Sequence, residues 1–314
     1  MKSNPFPYSL DNKRYHTWNY YLRNKYQTKV AKVPLNVGFT CPNRDGKLGY
    51  GGCDFCSANG AGDFPIDIEG DLQKQFTQRY QIMKNKWPDC LAMAYFQAFT
   101  NTYAPIAKLR DIFQPFVDDD NIVAICIGTR SDCIDDECFN YLSEISLKKD
   151  IWIELGLQSV HDETTNALNC QHTYQQFLDV IKRLAKTNCK ICVHLLNGLP
   201  NETAEMMVES AREIGKLPIQ ALKIHMLHLV SGSKLAQKYE QEPWDLLSKD
   251  EYISIVVKQL EYIPANVVIQ RLTGDGLSDL LVAPEWTVKK TIVLNDIDKE
   301  MKKQDTWQGK KVTL

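Results

Sequence analysis

The sequence predicts an α/β fold, a partial or complete (βα) TIM-like barrel with short N- and C-terminal extensions. Apolar runs of five to eight residues, rich in β-branched side chains, alternate with amphipathic stretches of helical period. Repeated strand–helix units of this kind form parallel sheets with right-handed crossovers. Seven candidate strands in succession favour a barrel, and a doubly wound sheet is the alternative.

The candidate elements follow from these two periodicities. Strands are predicted at residues 32–37, 91–96, 121–127, 151–157, 190–196, 221–227 and 267–272. Helices are predicted at residues 66–86, 105–117, 135–148, 174–188, 203–217 and 248–263. Pro105 suits a first helical turn, and Asp135 opens an acidic turn that the helix dipole favours.

Two segments lie outside this pattern. Residues 1–31 are aromatic and basic, and residues 273–314 lack a clear period. The predicted organisation is therefore an N-terminal arm at 1–31, a barrel at 32–272 and a C-terminal extension at 273–314. Polar loops follow the strands, and functional sites of parallel α/β folds gather at that end. These loops read FTCPNRDG, QAFTNTYAP, GTRSDC, GLQSVHDE, NGLPNET and RLTGDG.

Composition limits the class of protein. The 314 residues are 44% hydrophobic and 24% charged, which is ordinary for a globular chain and argues against disorder. Lys and Arg number 37 against 39 Asp and Glu, so a generally basic nucleic-acid coat is excluded. The sequence shows neither a signal peptide nor an apolar run near the ~18 residues that a membrane span needs. We expect a cytoplasmic protein.

Three of the ten cysteines form the strongest motif. Cys41, Cys53 and Cys56 lie in one glycine-rich loop, CPNRDGKLGYGGCDFC, directly after the first predicted strand. Structural zinc would require a fourth ligand, which only His16 or a distant cysteine supplies. Three thiolates around a [4Fe–4S] cluster would leave one iron open for chemistry.

This loop resembles that of the radical S-adenosylmethionine (SAM) superfamily, and its long first spacing is similar to the radical SAM domain of the Elongator catalytic subunit. Further motifs resemble that group in the same order. They are GTRSD at 128–132, ELGLQS at 154–159, and His194 followed by GLPNET at 198–203. The whole pattern looks most like the bacterial YhcC/YtqA-type radical SAM family.

The resemblance implies an enzyme in which Cys41, Cys53 and Cys56 hold three irons and SAM binds the fourth. Reduction then cleaves SAM to methionine and a 5′-deoxyadenosyl radical, which abstracts hydrogen from substrate. A one-electron donor of the flavodoxin or ferredoxin type is the implied partner. The implied substrate is a tRNA base, the wobble uridine side chain. The alternatives are a radical SAM oxidoreductase acting on a small metabolite or tetrapyrrole, and a zinc-stabilised RNA-binding module.

The same resemblance provides candidates for SAM binding. They are Gln97, Ala98, Thr100, Arg130, Glu154, Gln158, Ser159 and His194. This sequence departs from the family's motifs at two points. Gln97-Ala98 stands where the family often has a Gly-Gly pair, and CQHT at 170–173 stands where the Elongator-type proteins have RGHT. Each candidate has a structural alternative; for Glu154 it is a salt bridge, with Arg130 as the suggested partner. Candidates on the substrate side are His225, His228, Arg271 and Asp275.

Two further features allow opposite interpretations. The arm interleaves basic residues with aromatic ones, which fits either an RNA-contact patch or a cap packed on the barrel. The basic residues are Lys13, Arg14, Arg23, Lys25, Lys29 and Lys32, and the aromatic ones are Tyr15, Trp18, Tyr20, Tyr21 and Tyr26.

Cys189 and Cys192 have a metal-like spacing, but within a strand they would point to opposite faces. An auxiliary cluster on Cys126, Cys133, Cys138 and Cys170 is a minor alternative.

Overall fold

A computed structural model describes residues 6, 8, 12–57, 60, 71–274 and 278–312. Seven parallel strands form one curled sheet, and a short antiparallel ribbon of two strands lies beside it. In chain order the strands are β1 (Val30–Leu35), β2 (Leu91–Phe96), β3 (Ile122–Thr129), β4 (Asp150–Gln158), β5 (Lys190–Asn197), β6 (Ala221–Met226), β7 (Leu229–Val230), β8 (Val268–Arg271) and β9 (Leu281–Ala283).

The main sheet is a half-barrel. Its order is β1-β2-β3-β4-β5-β6-β8, so β1 and β8 are its two edges, while β7 pairs with β9 in the ribbon. The α/β prediction is confirmed, and the barrel is the partial one of the two forms expected. The first strand begins at Val30, two residues before the predicted barrel boundary at 32.

Ten α-helices lie within the described residues. They are α1 (Trp18–Tyr26), α2 (Leu72–Lys86), α3 (Ile106–Asp118), α4 (Asp136–Ser146), α5 (Asp162–Ala167), α6 (Tyr174–Leu184), α7 (Ala204–Gly215), α8 (Lys234–Gln241), α9 (Lys249–Glu261) and α10 (Lys290–Lys303). Six of them correspond to predicted helices, although residues 66–70 of the first lie outside the described residues. Helices α1, α5, α8 and α10 were not predicted. Within the described part of the chain, no helix has the length and apolar character to cross a membrane.

Local capping explains where several helices begin. The Asp135 side chain accepts a hydrogen bond from the Cys138 amide, at the acidic turn that the sequence indicated. Thr173 and Ser248 each form a full capping box with the residue three positions later. Such caps satisfy amides that have no partner within the helix. Pro105 lies one residue before α3, where a missing amide hydrogen has no consequence.

The two faces of the sheet pack against different layers. The outer face and its helices form the large core, which includes Cys138 and Cys189. The inner face forms a smaller apolar cluster, which includes Cys126, Trp152 and Cys192. Cys189 and Cys192 therefore lie on opposite sides of the sheet, as strand geometry predicts. Cys126 and Cys138 are separated in the same way, so the four-cysteine auxiliary cluster does not form.

Helix α1 closes the amino end of the half-barrel. Its Trp18 and Tyr21 rings meet the ring of Trp152 edge-on, with centroids 4.9 and 5.8 Å apart. Leu22 of the same helix is buried in the inner cluster. Just before α1, the Ile269 amide donates to the His16 carbonyl over 2.7 Å, which ties the arm to β8. Of the two interpretations of the arm, these contacts fit the cap that packs on the barrel.

Four of the six basic residues of the arm form ion pairs within the protein. Lys13 pairs with Asp298, Arg14 with Asp305, and Lys25 with Asp150. Lys32 points into the barrel and pairs with Glu154. These pairs reduce the cationic surface of the arm, while Arg23 stays exposed, so the RNA-contact interpretation remains a prediction.

The C-terminal extension belongs to the core rather than to a loose tail. Val293, Ile297 and Met301 of α10 are fully buried in the large core. They recur every four residues, which is one face of a helix. Their spacing was present in the sequence, but the segment was predicted to lack a clear period.

Replacement of Trp152 by alanine tests the seal at the amino end. The side chain is 1% exposed, so we expect W152A to lower the free energy of unfolding by about 3–5 kcal/mol. Urea denaturation followed by circular dichroism measures this loss. The control is L147A, whose side chain is 76% exposed and whose effect we expect within about 0.5 kcal/mol. A loss below about 1 kcal/mol in W152A would show that α1 does not seal the barrel.

Candidate functional site

A cavity of about 720 Å³ occupies the inside of the half-barrel. It extends from Cys56 in the loop after β1 to Trp18 in α1 at the opposite end. Arg79 and Trp87 line it on the side of β1, next to the open edge of the sheet. The cavity therefore joins the carboxyl ends of the strands, where sites of this architecture lie, to the seal at the amino ends.

The cysteine loop curls over the carboxyl end of β1. Gly51 and Gly52 have φ of 82° and 81°, a conformation that other residues rarely adopt. The Gly52 amide donates to the Asn43 carbonyl over 2.8 Å, and the Cys56 amide donates to the Cys53 carbonyl over 2.9 Å. Cys41, Cys53 and Cys56 remain partly exposed, whereas six of the other seven cysteines are buried.

The segment after α5 holds this loop in place. The Asp54 amide donates to the Leu168 carbonyl over 3.0 Å, and Asn169 Nδ2 donates to the Gly52 carbonyl over 2.8 Å. Asp54 also forms an ion pair with Lys238 of α8 at 2.6 Å. The CPNRDGKLGYGGCDFC loop is thus fixed by contacts with two other segments rather than by its own residues alone.

Neighbouring thiols change the acidity of the loop cysteines. Cys170 and Cys56 lower the pKa of the Cys53 thiol well below its usual value, and Arg130 adds to this effect against the opposing effect of burial. The proton is correspondingly retained on Cys56, whose pKa is raised by Cys53 and by burial. Cys170 is fully buried beside Cys53, a contact that the sequence did not reveal.

Three thiols on one loop are the type of donor that an iron–sulfur cluster uses. Among the described residues, no three His, Cys, Asp or Glu side chains converge on one metal position. The thiolates of a [4Fe–4S] cluster bind separate irons, so they need not converge. Tetrahedral zinc requires four ligands around one ion. His16, the nearest sequence alternative, is instead at the amino end, with Nδ1 3.2 Å from the Ala265 carbonyl.

Backbone strain concentrates where β2 and β4 end. Ala98 and Phe99 have φ of 66° and 55°, and Gln158 has φ of 73°. Three non-glycine residues in the left-handed region at one rim are typical of a functional site. Gln97 and Gln158 both line the cavity, and the buried Nε2 of Gln97 has no hydrogen-bond partner among the described residues. These two amides face the space below the cysteine loop.

Thr100 and Ser159 connect the rim loops. The Thr100 amide donates to the Thr40 carbonyl over 3.3 Å, beside Cys41. Ser159 Oγ donates to the Glu202 carboxylate and accepts from the His161 amide over 3.1 Å. Both side chains are buried, so they brace the loops around the cavity and do not line it.

Arg130 joins two rim loops through a local ion pair. Its guanidinium contacts Asp132 through two hydrogen bonds of 2.8 and 2.7 Å. It also donates to the Cys170 carbonyl over 2.9 Å. The suggested salt bridge between Arg130 and Glu154 is wrong, because Asp132 is two residues away and satisfies the guanidinium in a planar, bidentate geometry.

Glu154 is the centre of a buried ion network. Its carboxylate pairs with Lys32 on β1 and Lys223 on β6, and His194 Nε2 lies 3.3 Å from Glu154 Oε2. Burial opposes ionisation of this carboxyl, but Lys223 and Lys32 outweigh it and hold its pKa well below the usual value. Glu154 therefore forms the salt bridge that was the structural alternative to SAM binding, but with Lys32 and Lys223 in place of Arg130. Lys223 was missed, because a lysine within an apolar strand carries no motif.

Three histidines line the cavity above this network. Burial and then Lys223 lower the pKa of His194 to about 4, and burial lowers that of His225 well below its usual value. Their ring centroids are 5.3 Å apart. His228 Nδ1 lies 3.0 Å from the Met226 carbonyl. Arg271 also lines the cavity. Asp275, the remaining candidate, lies outside the described residues.

Relatives of known sequence extend along nearly the whole chain. "Uncharacterized protein YtqA" of Bacillus subtilis is 44% identical over 310 residues, which is 99% of this chain and 96% of that protein. "Protein YhcC" of Escherichia coli is 30% identical over 88% of this chain and 89% of its own. A tRNA uridine(34) acetyltransferase of Methanocaldococcus jannaschii is 24% identical over 51% of this chain but only 30% of its own length.

Solved structures share the fold. The archaeal Elp3 of Methanocaldococcus infernus superposes with a TM-score of 0.67 at 17% identity, over 90% of this chain and 64% of that chain. Coproporphyrinogen III oxidase (HemN) of Escherichia coli, a radical SAM enzyme, superposes with a TM-score of 0.51 at 13% identity over 83% and 59% of the two chains.

The family models settle the assignment. The model of the Radical SAM superfamily matches residues 35–214, which include the cysteine loop and strands β2 to β5 of the half-barrel. The model of the Radical_SAM C-terminal domain matches residues 219–303, which continue through β6 to the end of α10. With one match over more than half of the chain and a second over most of the rest, this protein belongs to the radical SAM superfamily of enzymes.

Proposed function

We propose that Cys41, Cys53 and Cys56 bind a [4Fe–4S] cluster and that SAM binds between this cluster and the cavity of the half-barrel, where the substrate lies. The observation that carries the proposal is the opening of Cys56 directly onto a cavity of about 720 Å³. When bound, the cluster and SAM supply one-electron cleavage of a carbon–sulfur bond and hence hydrogen abstraction from an unreactive carbon.

The chain's own residues divide into contact and support roles. Gln97, Gln158 and His194 line the cavity and offer polar groups to SAM. The other SAM candidates lie behind this surface and position it. They are Ala98, Thr100, Arg130, Glu154 and Ser159. Helix α1 closes the far end, which keeps water and stray hydrogen donors from the reaction.

The outer side of the cysteine loop suits an electron donor. Leu48 and Tyr50 are 46% and 78% exposed there. An electron donor has to dock beside the cysteine loop, and these two side chains offer apolar contact area there. We assign this surface to a one-electron donor of the flavodoxin or ferredoxin type.

Two substrate classes follow from different observations. Similarity to the tRNA uridine(34) acetyltransferases supports modification of a tRNA base, the wobble uridine side chain. That similarity covers about half of this chain and 30% of the archaeal protein. The enclosed, cation-lined cavity supports a small metabolite or tetrapyrrole instead. A zinc-stabilised RNA-binding module is disfavoured, because the chain belongs to an enzyme superfamily.

Replacement of one loop cysteine tests the cluster. We expect C56A to lose most of the iron and sulfide after anaerobic reconstitution, because two thiolates no longer fix the cluster. Iron and sulfide analysis, with the visible absorption of the cluster, measures this loss. The matched control is C138A, a buried cysteine of the outer core, which we expect to load like the parent protein. Full loading of C56A would show that other residues hold the metal.

Replacement of Gln158 tests the SAM surface. We expect Q158A to weaken SAM binding about tenfold, because a buried polar group of the ligand loses its partner. Equilibrium dialysis of SAM against the cluster-loaded protein gives the dissociation constant. The control is Q114A on outer helix α3, whose SAM affinity we expect to match the parent protein. Equal affinities for Q158A and Q114A would move SAM away from the end of β4.

Formation of 5′-deoxyadenosine separates the substrate classes. The reduced, cluster-loaded protein is incubated with SAM alone, with bulk tRNA, or with a protein-free extract of small molecules. If a tRNA base is the substrate, we expect only tRNA to raise the yield, and RNase treatment to abolish the increase. Stimulation by the small-molecule fraction alone would contradict the tRNA assignment. No 5′-deoxyadenosine in any arm from fully loaded protein would contradict the proposed chemistry.

A further inference from the structure

Within the described residues, the wall of the cavity carries cations and no carboxylate. Among the described residues that line it, the charged side chains are Lys29, Lys32, Arg79, Lys223 and Arg271. No Asp or Glu belongs to that described lining. His194 and His225 are held neutral by burial, with Lys223 acting in the same direction on both. The cavity is therefore strongly electropositive.

Two of these cations share a single counter-ion. Lys32 and Lys223 both pair with Glu154, whose carboxylate is fully buried behind the cavity wall. Two ammonium groups on one carboxylate leave one positive charge in excess. Lys223 is only 7% exposed and Lys32 only 22% exposed, so bulk water compensates this charge poorly.

Each ammonium group also retains hydrogen-bonding capacity towards the cavity. An ammonium group has three donors. Besides Glu154, Lys32 Nζ reaches Gln270 Oε1 at 3.4 Å, and Lys223 Nζ reaches Tyr95 Oη at 3.5 Å. Both of these additional contacts are long, so an anion between the two lysines would receive shorter, charge-assisted bonds.

The depth of the lysines separates them from the cluster. Glu154 lies four residues before Gln158, the last residue of β4. At ~3.3 Å per residue, Glu154 is about 13 Å from that end, measured along the strand. An anion bound there belongs to a ligand that occupies the interior of the barrel and not to the cysteine loop at its mouth.

We propose that the substrate carries a carboxylate or phosphate group that Lys32 and Lys223 bind inside the barrel. Glu154 acts as the positioning residue that holds both lysines on the cavity wall when the substrate is absent. Identification of the ligand as the substrate rests on the proposed radical SAM function. The anion site itself does not, since it lies on side chains of β1, β4 and β6 that need neither cluster nor SAM.

Calorimetric titration tests the site with two probes, inorganic phosphate and malonate, at constant ionic strength on the oxidised, cluster-loaded protein. We expect one saturable site with a dissociation constant on the order of 1 mM for the better probe. The probe that binds more tightly identifies whether phosphate or carboxylate is the substrate's group. The matched control K182M, on outer helix α6 with a 69% exposed side chain, keeps this affinity.

Variants of the network give opposite shifts. We expect E154Q to tighten anion binding several-fold, because both ammonium groups lose their internal counter-ion, and K32M to weaken it at least tenfold. K223M leaves Glu154 with one lysine and is at risk of misfolding. The double variant E154Q/K223M removes the carboxylate and its ammonium partner together. We expect it to bind the anion tenfold more weakly than E154Q, and this difference measures the contribution of Lys223.

Three results would overturn the site. They are absence of saturable binding of both probes to the parent protein, equal binding by E154Q and E154Q/K223M, and complete displacement of the anion by SAM. The last result would assign the lysines to the carboxylate of SAM. Loss of anion binding with 5′-deoxyadenosine still formed refutes only this site. If the protein binds the anion but fails to load a cluster under any reconstitution condition, only the proposed function is refuted.

Discussion

The ion network of Lys32, Glu154 and Lys223 is the constraint on which the interior of this half-barrel depends. An ionised carboxylate that is fully buried is tolerated only with strong partners. Its partners come from the edge strand β1 and from β6, so the network spans the concave face of the sheet. It lies in the wall of the cavity that extends from the cysteine loop to α1, with the histidines on the side of the loop and the apolar cluster of the inner face on the side of α1.

The two ends of the half-barrel differ in character. At the amino end, the rings of Trp18 and Tyr21 pack edge-on against Trp152 and form an apolar seal. At the carboxyl end, the chain accepts left-handed backbone at Ala98 and Gln158, which stability alone would not select. Lys13, Arg14 and Lys25 of the arm form ion pairs within the protein near the amino end.

The sequence predicted the elements well because each carries its signal locally. Strand β2 lies at the predicted residues, and Cys41, Cys53 and Cys56 lie in the loop that their spacing indicated. What escaped prediction depends on contacts between distant residues. Whether the barrel closes is decided by the pairing of β1 and β8 rather than by periodicity. The partners of Glu154 are 122 and 69 residues away, so no local pattern identifies them.

The charge of the cavity also bears on the size of the substrate. A base extruded from a polynucleotide would enter the barrel while its phosphates stayed at the rim, because the backbone cannot follow it inside. An uncharged base would then leave the excess charge of Lys32 and Lys223 without an anion inside the barrel. A small molecule with its own carboxylate or phosphate brings the missing anion with it. The buried lysines therefore weigh towards a small anionic substrate and against a tRNA base, although sequence similarity alone points to the reverse.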